Sequence, residues 1–260
     1  MKQWLINKLQ GPVYLDCYTL NPQAYNVAQL RPANKFRPEW WDKLPPYVEQ
    51  QVSGAPQGMV FPANTMKFCA GLQDFYKNSF CLPMWTELLL NIGPEGTDTY
   101  TWKFADSQSE LSVHPQHQRG RFMDAFRYQH AKLIGPWRIR CSEDVNFLMC
   151  DPFWNDGDDP ERPIIPPGVV NFKYQIGTNI NLFFRRHSTE IKRIALKFNY
   201  PLVFLVPLTE RKVIIRHHLV GLTEMRKITA LSTAFNARYY QGRKFMMDRE
   251  KEAKCPMKSK

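Results

Sequence analysis

IIPPGVVNFKYQIGTNINLFFRR, residues 164–186, decides how this chain is read, because it holds two extended runs separated by Ile176-Gly177. Residues 169–175 and 178–185 are rich in β-branched and aromatic side chains, and a short Gly-centred break between such runs predicts a β-hairpin. Alternation in the second run sends Ile180, Leu182 and Phe184 to one face and Asn179, Asn181 and Phe183 to the other. The first set is expected to face a core. The second, with Lys173 or Tyr174 from the first run, is either solvated or lines a polar pocket.

The same texture extends on both sides. From Phe80 onward, runs such as FCLPMWTELLLNI, TYTWKF, WRIRC, VNFLMCDPF, LVFLVPL and KVIIRHHLV are divided by turn-forming stretches such as GPEGTD and WNDGDDPERP. Many short strands without long helices between them predict a mainly β fold, an antiparallel β-sandwich or jelly roll over residues 66–221, with a cupin-like barrel as the alternative closure. Residues 66–80, MKFCAGLQDFYKNSF, carry Leu72, Phe75 and Tyr76 at helical spacing and start this body with a short helix.

Residues 1–65 read differently. Their Pro, Asn and Gln content predicts an irregular N-terminal arm, with PVYLDCYTL as a strand-like exception. A loop of that length packs over the body or onto a neighbouring subunit, with Trp40 and Trp41 as its anchors. At the other end, residues 222–260 form a basic helix and tail. Thr223 caps a helix whose apolar stripe is Ile228, Leu231, Phe235 and Tyr239, and residues 246–260 are expected to order only on contact with something else.

Charge is distributed in blocks. Residues 1–184 hold 17 basic against 18 acidic side chains, whereas residues 185–260 hold 18 against 6. A net charge of +11 placed in the last third favours an acidic partner, either nucleic acid or an acidic protein face. Arg226, Lys227, Arg238, Arg243, Lys244 and Arg249 are the candidate contacts. No apolar run approaches the roughly 18 residues of a membrane span, so no membrane partner is expected. The N-terminal MKQWLINKLQGPVYLD lacks a signal-peptide pattern, from which an intracellular place of synthesis is expected.

Catalytic signatures are absent from the sequence: it has no phosphate-binding glycine loop, dinucleotide fingerprint, GxSxG elbow or HExxH. The six cysteines are scattered without a CxxC pair, which predicts free, packed thiols, and Cys141 and Cys150 flank a turn that could bring them face to face. HPQHQ supplies His114 and His117 as candidate ligands for iron or another divalent transition metal. Pro115 makes that segment a loop, however, and the strand-borne ligand pair of a barrel oxygenase is missing. His217 and His218 are neighbours on a strand and point to opposite faces. The acidic turn DPFWNDGDDPER offers Asp156, Asp158, Asp159 and Glu161 to calcium without EF-hand spacing.

Taken together, KFRPEWW, MKFCAGLQDFYKNSF, LIGPW, PPGVVNFKYQIGTNINLFF and YPLVFLVPLTERKV resemble an uncharacterised β-rich family encoded by tailed phages of marine cyanobacteria, with distant bacterial relatives. The similarity spans about residues 35 to 220. It implies a phage setting, in the virion or the host cytoplasm, and a β-body. The resulting expectation is a non-enzymatic protein without a cofactor that holds other virion or assembly proteins, with room for a homo-oligomer. A metal-dependent, cupin-like oxygenase is the alternative.

Overall fold

A computed structural model describes residues 11–51, 60–157, 159–234 and 239–254. The fold is mainly β, an open sandwich of largely antiparallel sheets in which no barrel closes among the described residues. The first sheet orders β12 (Gly177–Arg185), β9 (Tyr128–Cys141), β1 (Val13–Thr19) and β15 (Val213–Leu219). β15 runs parallel to β1, the exception to the antiparallel rule. A short β8 (Glu110–Ser112) also pairs with β9, opposite β12 and therefore on the same edge as β1.

The second sheet orders β11 (Gly168–Asn171), β10 (Asn146–Cys150), β14 (Pro201–Pro207), β5 (Phe80–Pro83) and β2 (Arg31–Pro32). A third joins β13 (Lys192–Leu196), β6 (Leu88–Ile92) and β7 (Tyr100–Phe104), and β3 (Tyr47–Gln51) pairs with β4 (Val60–Asn64) in a separate ribbon.

Alternation explains the core. Leu15 and Cys17 of β1, Leu133, Trp137 and Ile139 of β9, and Ile180, Leu182 and Phe184 of β12 are buried in one cluster with Leu82, Phe147, Val203 and Leu205 of the second sheet. Each such side chain contributes roughly 1.5–3 kcal/mol when fully buried, so these stripes hold the sheets together. Asn179 and Asn181 are exposed, as the alternation predicted, but Phe183 is buried too, against the rings of Phe122 and His130, and its backbone bridges to Ile164.

The predicted hairpin is not formed. β11 pairs with β10 in the second sheet, while β12 pairs with β9 in the first, so the chain changes sheets between them. Asn171 drives the corner. Its carbonyl accepts from the amides of Tyr174 and Gln175, and its side-chain amide donates to Asp144 at 2.6 Å and to Asn146 at 2.9 Å. Asp144 lies in a second corner, where the chain passes from β9 to β10. Cys141 and Cys150 therefore end strands of different sheets instead of facing one another, and Cys17, Cys69, Cys81, Cys141 and Cys150 are all free. Cys255 lies outside the described residues.

The N-terminal 65 residues are more than an arm. β1 is an interior strand, bonded on both edges. The segment that carries Ala33, Phe36 and Trp41 covers the second sheet on the face away from the main core. Phe36 and Trp41 pack there with Leu72, Tyr76 and Phe204 in a separate cluster. Whereas α1 (Pro22–Val27), capped by the Asn21 side chain, lies against β1 and β15 with Ala24 in the main core, the elements involved here are α2 (Glu39–Lys43), which carries Trp41, and α3 (Ala70–Asn78), which carries Leu72 and Tyr76. Beyond α4 (Gln116–Arg119), the short α5 (Phe153–Asp156) locks the layer in place. Asn155 donates to the Phe36 carbonyl at 2.6 Å and accepts from the Tyr76 hydroxyl, and Trp40 donates to the Trp154 carbonyl.

At the C-terminus the single predicted helix is two, α6 (Leu222–Ala234) and α7 (Tyr239–Lys254). α6 begins at Leu222, one residue before the expected Thr223 cap. Within residues 222–230 only Met225 is buried, and Ile228 is half-buried. Phe235 and Arg238 lie outside the described residues. Residues 246–254, expected to be an unstructured tail, continue α7, and Glu250 pairs with Lys173 at 2.8 Å in the sheet-changing corner.

Candidate functional site

The two large sheets differ on their outer faces. The second is roofed by the N-terminal layer, whereas the first presents polar and aromatic side chains to solvent. Alternation along β1 puts Tyr14, Asp16 and Tyr18 on that open face, opposite the buried Leu15 and Cys17. The parallel register brings Arg216 beside Asp16 and His218 beside Tyr18. The antiparallel register on the other edge sets Arg140 beside Asp16 and Arg138 beside Tyr18. The site is thus assembled from strands far apart in sequence.

Its centre is an ion cluster. Arg216 donates to both Asp16 oxygens, at 2.8 and 2.6 Å, and His218 Nε2 lies 2.8 Å from Oδ1. Burial alone would raise the Asp16 carboxyl, but the hydrogen bonds from Arg216 and His218 outweigh it and hold the group below the usual carboxylate range. The same two side chains stack on aromatic rings. The Arg216 guanidinium sits 4.6 Å from the Tyr14 ring centre, and the His218 and Tyr18 rings stack at 4.7 Å. His217, one residue earlier, points inward against Trp137, as alternation predicted.

Along β9 the cations Lys132, Arg138 and Arg140 form no ion pair among the described residues, and Arg138 is spent on the Gly135 and Trp137 carbonyls. The reason for that last contact is a gap in the ladder. β1 ends opposite Arg138 and β8 begins opposite Ile134, leaving Gly135, Pro136 and Trp137 without a strand on that edge. Pro136 has no N–H to offer a partner strand, so the interruption is written in the sequence. On the opposite edge, a Cβ on Gly135 would run into Thr178, whose hydroxyl donates to the Trp137 carbonyl.

The gap is a notch of about 370 Å³, with Trp85, Ser109, Glu110, Pro136, Arg138 and Met225 among its walls. Trp85 donates to Ser109, which in turn donates to Asp106. The notch adjoins the β9 cations through Arg138.

The residues singled out from sequence fall elsewhere. Arg226, Lys227, Lys244 and Arg249 are exposed on α6 and α7, and Arg243 is half-buried over the Tyr174 ring at 5.4 Å. His114 and His117 do not share a site. His117 is exposed, the His114 ring lies 2.7 Å from the Gln118 side chain, and the ring brought to His114 is that of His130. His130 Nδ1 accepts from the His114 amide, so its Nε2–H donates to Asn181. Burial pushes its pKa down to about 4, against the pull of the Asn181 hydrogen bond.

Among the described residues no three His, Cys, Asp or Glu side chains converge as metal ligands. The acidic turn is consumed locally: Asp156 accepts from Tyr200, and Glu161 binds Lys192 and His187. Asp158 lies outside the described residues.

Sequence reasoning missed the open face for an identifiable reason. Tyr14, Asp16 and Tyr18 alternate visibly, but their cationic neighbours follow only from the register. Comparison with protein families, with curated proteins and with solved structures finds no match.

Proposed function

We propose that this protein is a non-enzymatic binding protein that holds an acidic partner on the open face of its first sheet, with single-stranded nucleic acid as the best chemical fit. The observation that carries this reading is Arg138 beside Tyr18 and Arg140 beside Asp16 on the open face, with Lys132 farther along the same strand, none of the three in an ion pair among the described residues. Adjacent rows of cations and aromatic rings suit a strand whose phosphates and bases alternate. The exposed Arg226, Lys227, Lys244 and Arg249 extend the positive field. In the phage setting that the resemblance implies, the protein serves as a virion or assembly component, in the virion or the host cytoplasm, among other virion or assembly proteins.

The test is fluorescence anisotropy with a labelled single-stranded oligonucleotide across a salt series. Changing Lys132 and Arg140 together to Gln leaves the core untouched. It should weaken binding and flatten the salt slope by about 0.7 for each lost phosphate contact. A second variant, Arg243, Lys244 and Arg249 to Gln, measures the share of α7. Unchanged binding in the first variant with loss in the second would move the interface to the helices. No binding by the wild-type protein would reject nucleic acid as the partner.

A further inference from the structure

Among the described residues the β3–β4 ribbon pairs with no other sheet, and it is wet on both faces. The register places Val48, Phe61 and Ala63 on one face and Tyr47, Val60 and Pro62 on the other. Tyr47, Val48, Val60 and Phe61 are 45–55% exposed. A lone two-stranded ribbon is marginal in water, and apolar side chains on both of its faces oppose solvation further.

The exposed apolar surface continues past the ribbon. Phe68 packs on Tyr47 at 5.4 Å, Lys67 donates to the Asp42 and Leu44 carbonyls of the α2 segment, and Trp40 on α2 joins Trp154. Met66, Phe68, Trp40 and Trp154 are each 38–47% exposed. With an aromatic side chain offering about 200 Å², Tyr47 and Val60 on one ribbon face together with Met66, Phe68, Trp40 and Trp154 present on the order of 500 Å². One partner contributes about 800 Å² to a stable interface of standard size.

We propose that this surface pairs two copies of the chain, ribbon against ribbon across a two-fold axis. Each ribbon supplies the second layer that the other lacks. Charge selects a copy of the same chain at this place. The molecule carries +11, so two copies repel through their basic C-terminal thirds, yet residues 35–77 hold five basic against four acidic side chains. Apposing this nearly neutral region brings apolar surface together at a place that carries little of the net charge. The proposal stands independently of what the open sheet face binds.

Light scattering coupled to size exclusion tests it on the full chain. The wild type should elute at twice the chain mass. Tyr47→Lys with Val60→Lys, both exposed positions on the face that continues to Phe68, should elute at the single mass with an unchanged circular-dichroism spectrum. Tyr47→Ser, which adds no charge, should move the monomer–dimer midpoint to roughly tenfold higher concentration. A wild type that stays at the single mass across the dilution series would overturn the proposal. So would a dimer that persists in both variants, because its interface would then lie elsewhere.

Discussion

β1 and the β3–β4 ribbon come from the same N-terminal stretch and are built from similar residues, VYLDCYT against YVEQQ and VFPAN, but their surroundings are opposite. β1 is bonded on both edges and buries Val13, Leu15, Cys17 and Thr19, whereas every described ribbon side chain apart from the half-buried Ala63 is exposed. Local propensity is alike in the two. The difference lies in partners: β1 pairs with β9 and β15, delivered from far along the chain, and among the described residues the ribbon strands pair only with each other. Burial is therefore a statement about neighbours, and the same alternation yields a core strand in one place and a surface awaiting a partner in the other.

The sharpest way to break this contrast is a pair of carboxylates. Leu15→Asp places an unpaired charge in the core and should cost at least about 4 kcal/mol, enough to unfold a marginal domain. Val60→Asp, measured by urea denaturation at concentrations where the chain is monomeric, should stay within about 0.5 kcal/mol of wild type. Equal losses would mean that the ribbon is part of the cooperative core.

A second test uses pH. His130 is held neutral in the first sheet, so the unfolded chain takes up a proton near pH 6.5 while the folded chain waits until about pH 4. Stability should be complete above the upper value and should fall through that window by up to about 3 kcal/mol. Urea midpoints of the wild type and of His130→Gln, which cannot titrate, should diverge as pH falls. Parallel curves would assign the acid sensitivity to carboxylates such as Asp16. Asn181→Asp should fold at neutral pH, because it keeps the acceptor for His130 and adds a stabilising anion.

Smaller effects map the edges of the core. Gly135→Ala should cost roughly 2 kcal/mol, because its Cβ would collide with Thr178 where β9 and β12 approach closely. Asn155→Ala removes the bonds to Phe36 and Tyr76 and should cost about 1–2 kcal/mol. Thermal melts are expected to show that loss without any change in the mass of the assembly. A change in mass would tie the N-terminal layer to the ribbon interface.

The sequence by itself determined the fold class, the strand character of residues 13–19 and the inward sets on β12. Those features rest on alternation and propensity, which act within a few residues. It also marked the break in β9, through Gly135 and Pro136. Only the tertiary structure decided that residues 164–186 form a corner instead of a hairpin, since a turn between two strands looks the same whether they pair together or with other partners. The deciding contacts, from Asn171 to Asp144 and Asn146, reach across a second corner. The open face followed the same rule. Tyr14, Asp16 and Tyr18 are legible as one side of a strand, but that Arg216, His218, Arg138 and Arg140 stand beside them follows from register between distant segments, which hydrogen bonds set and local sequence does not encode.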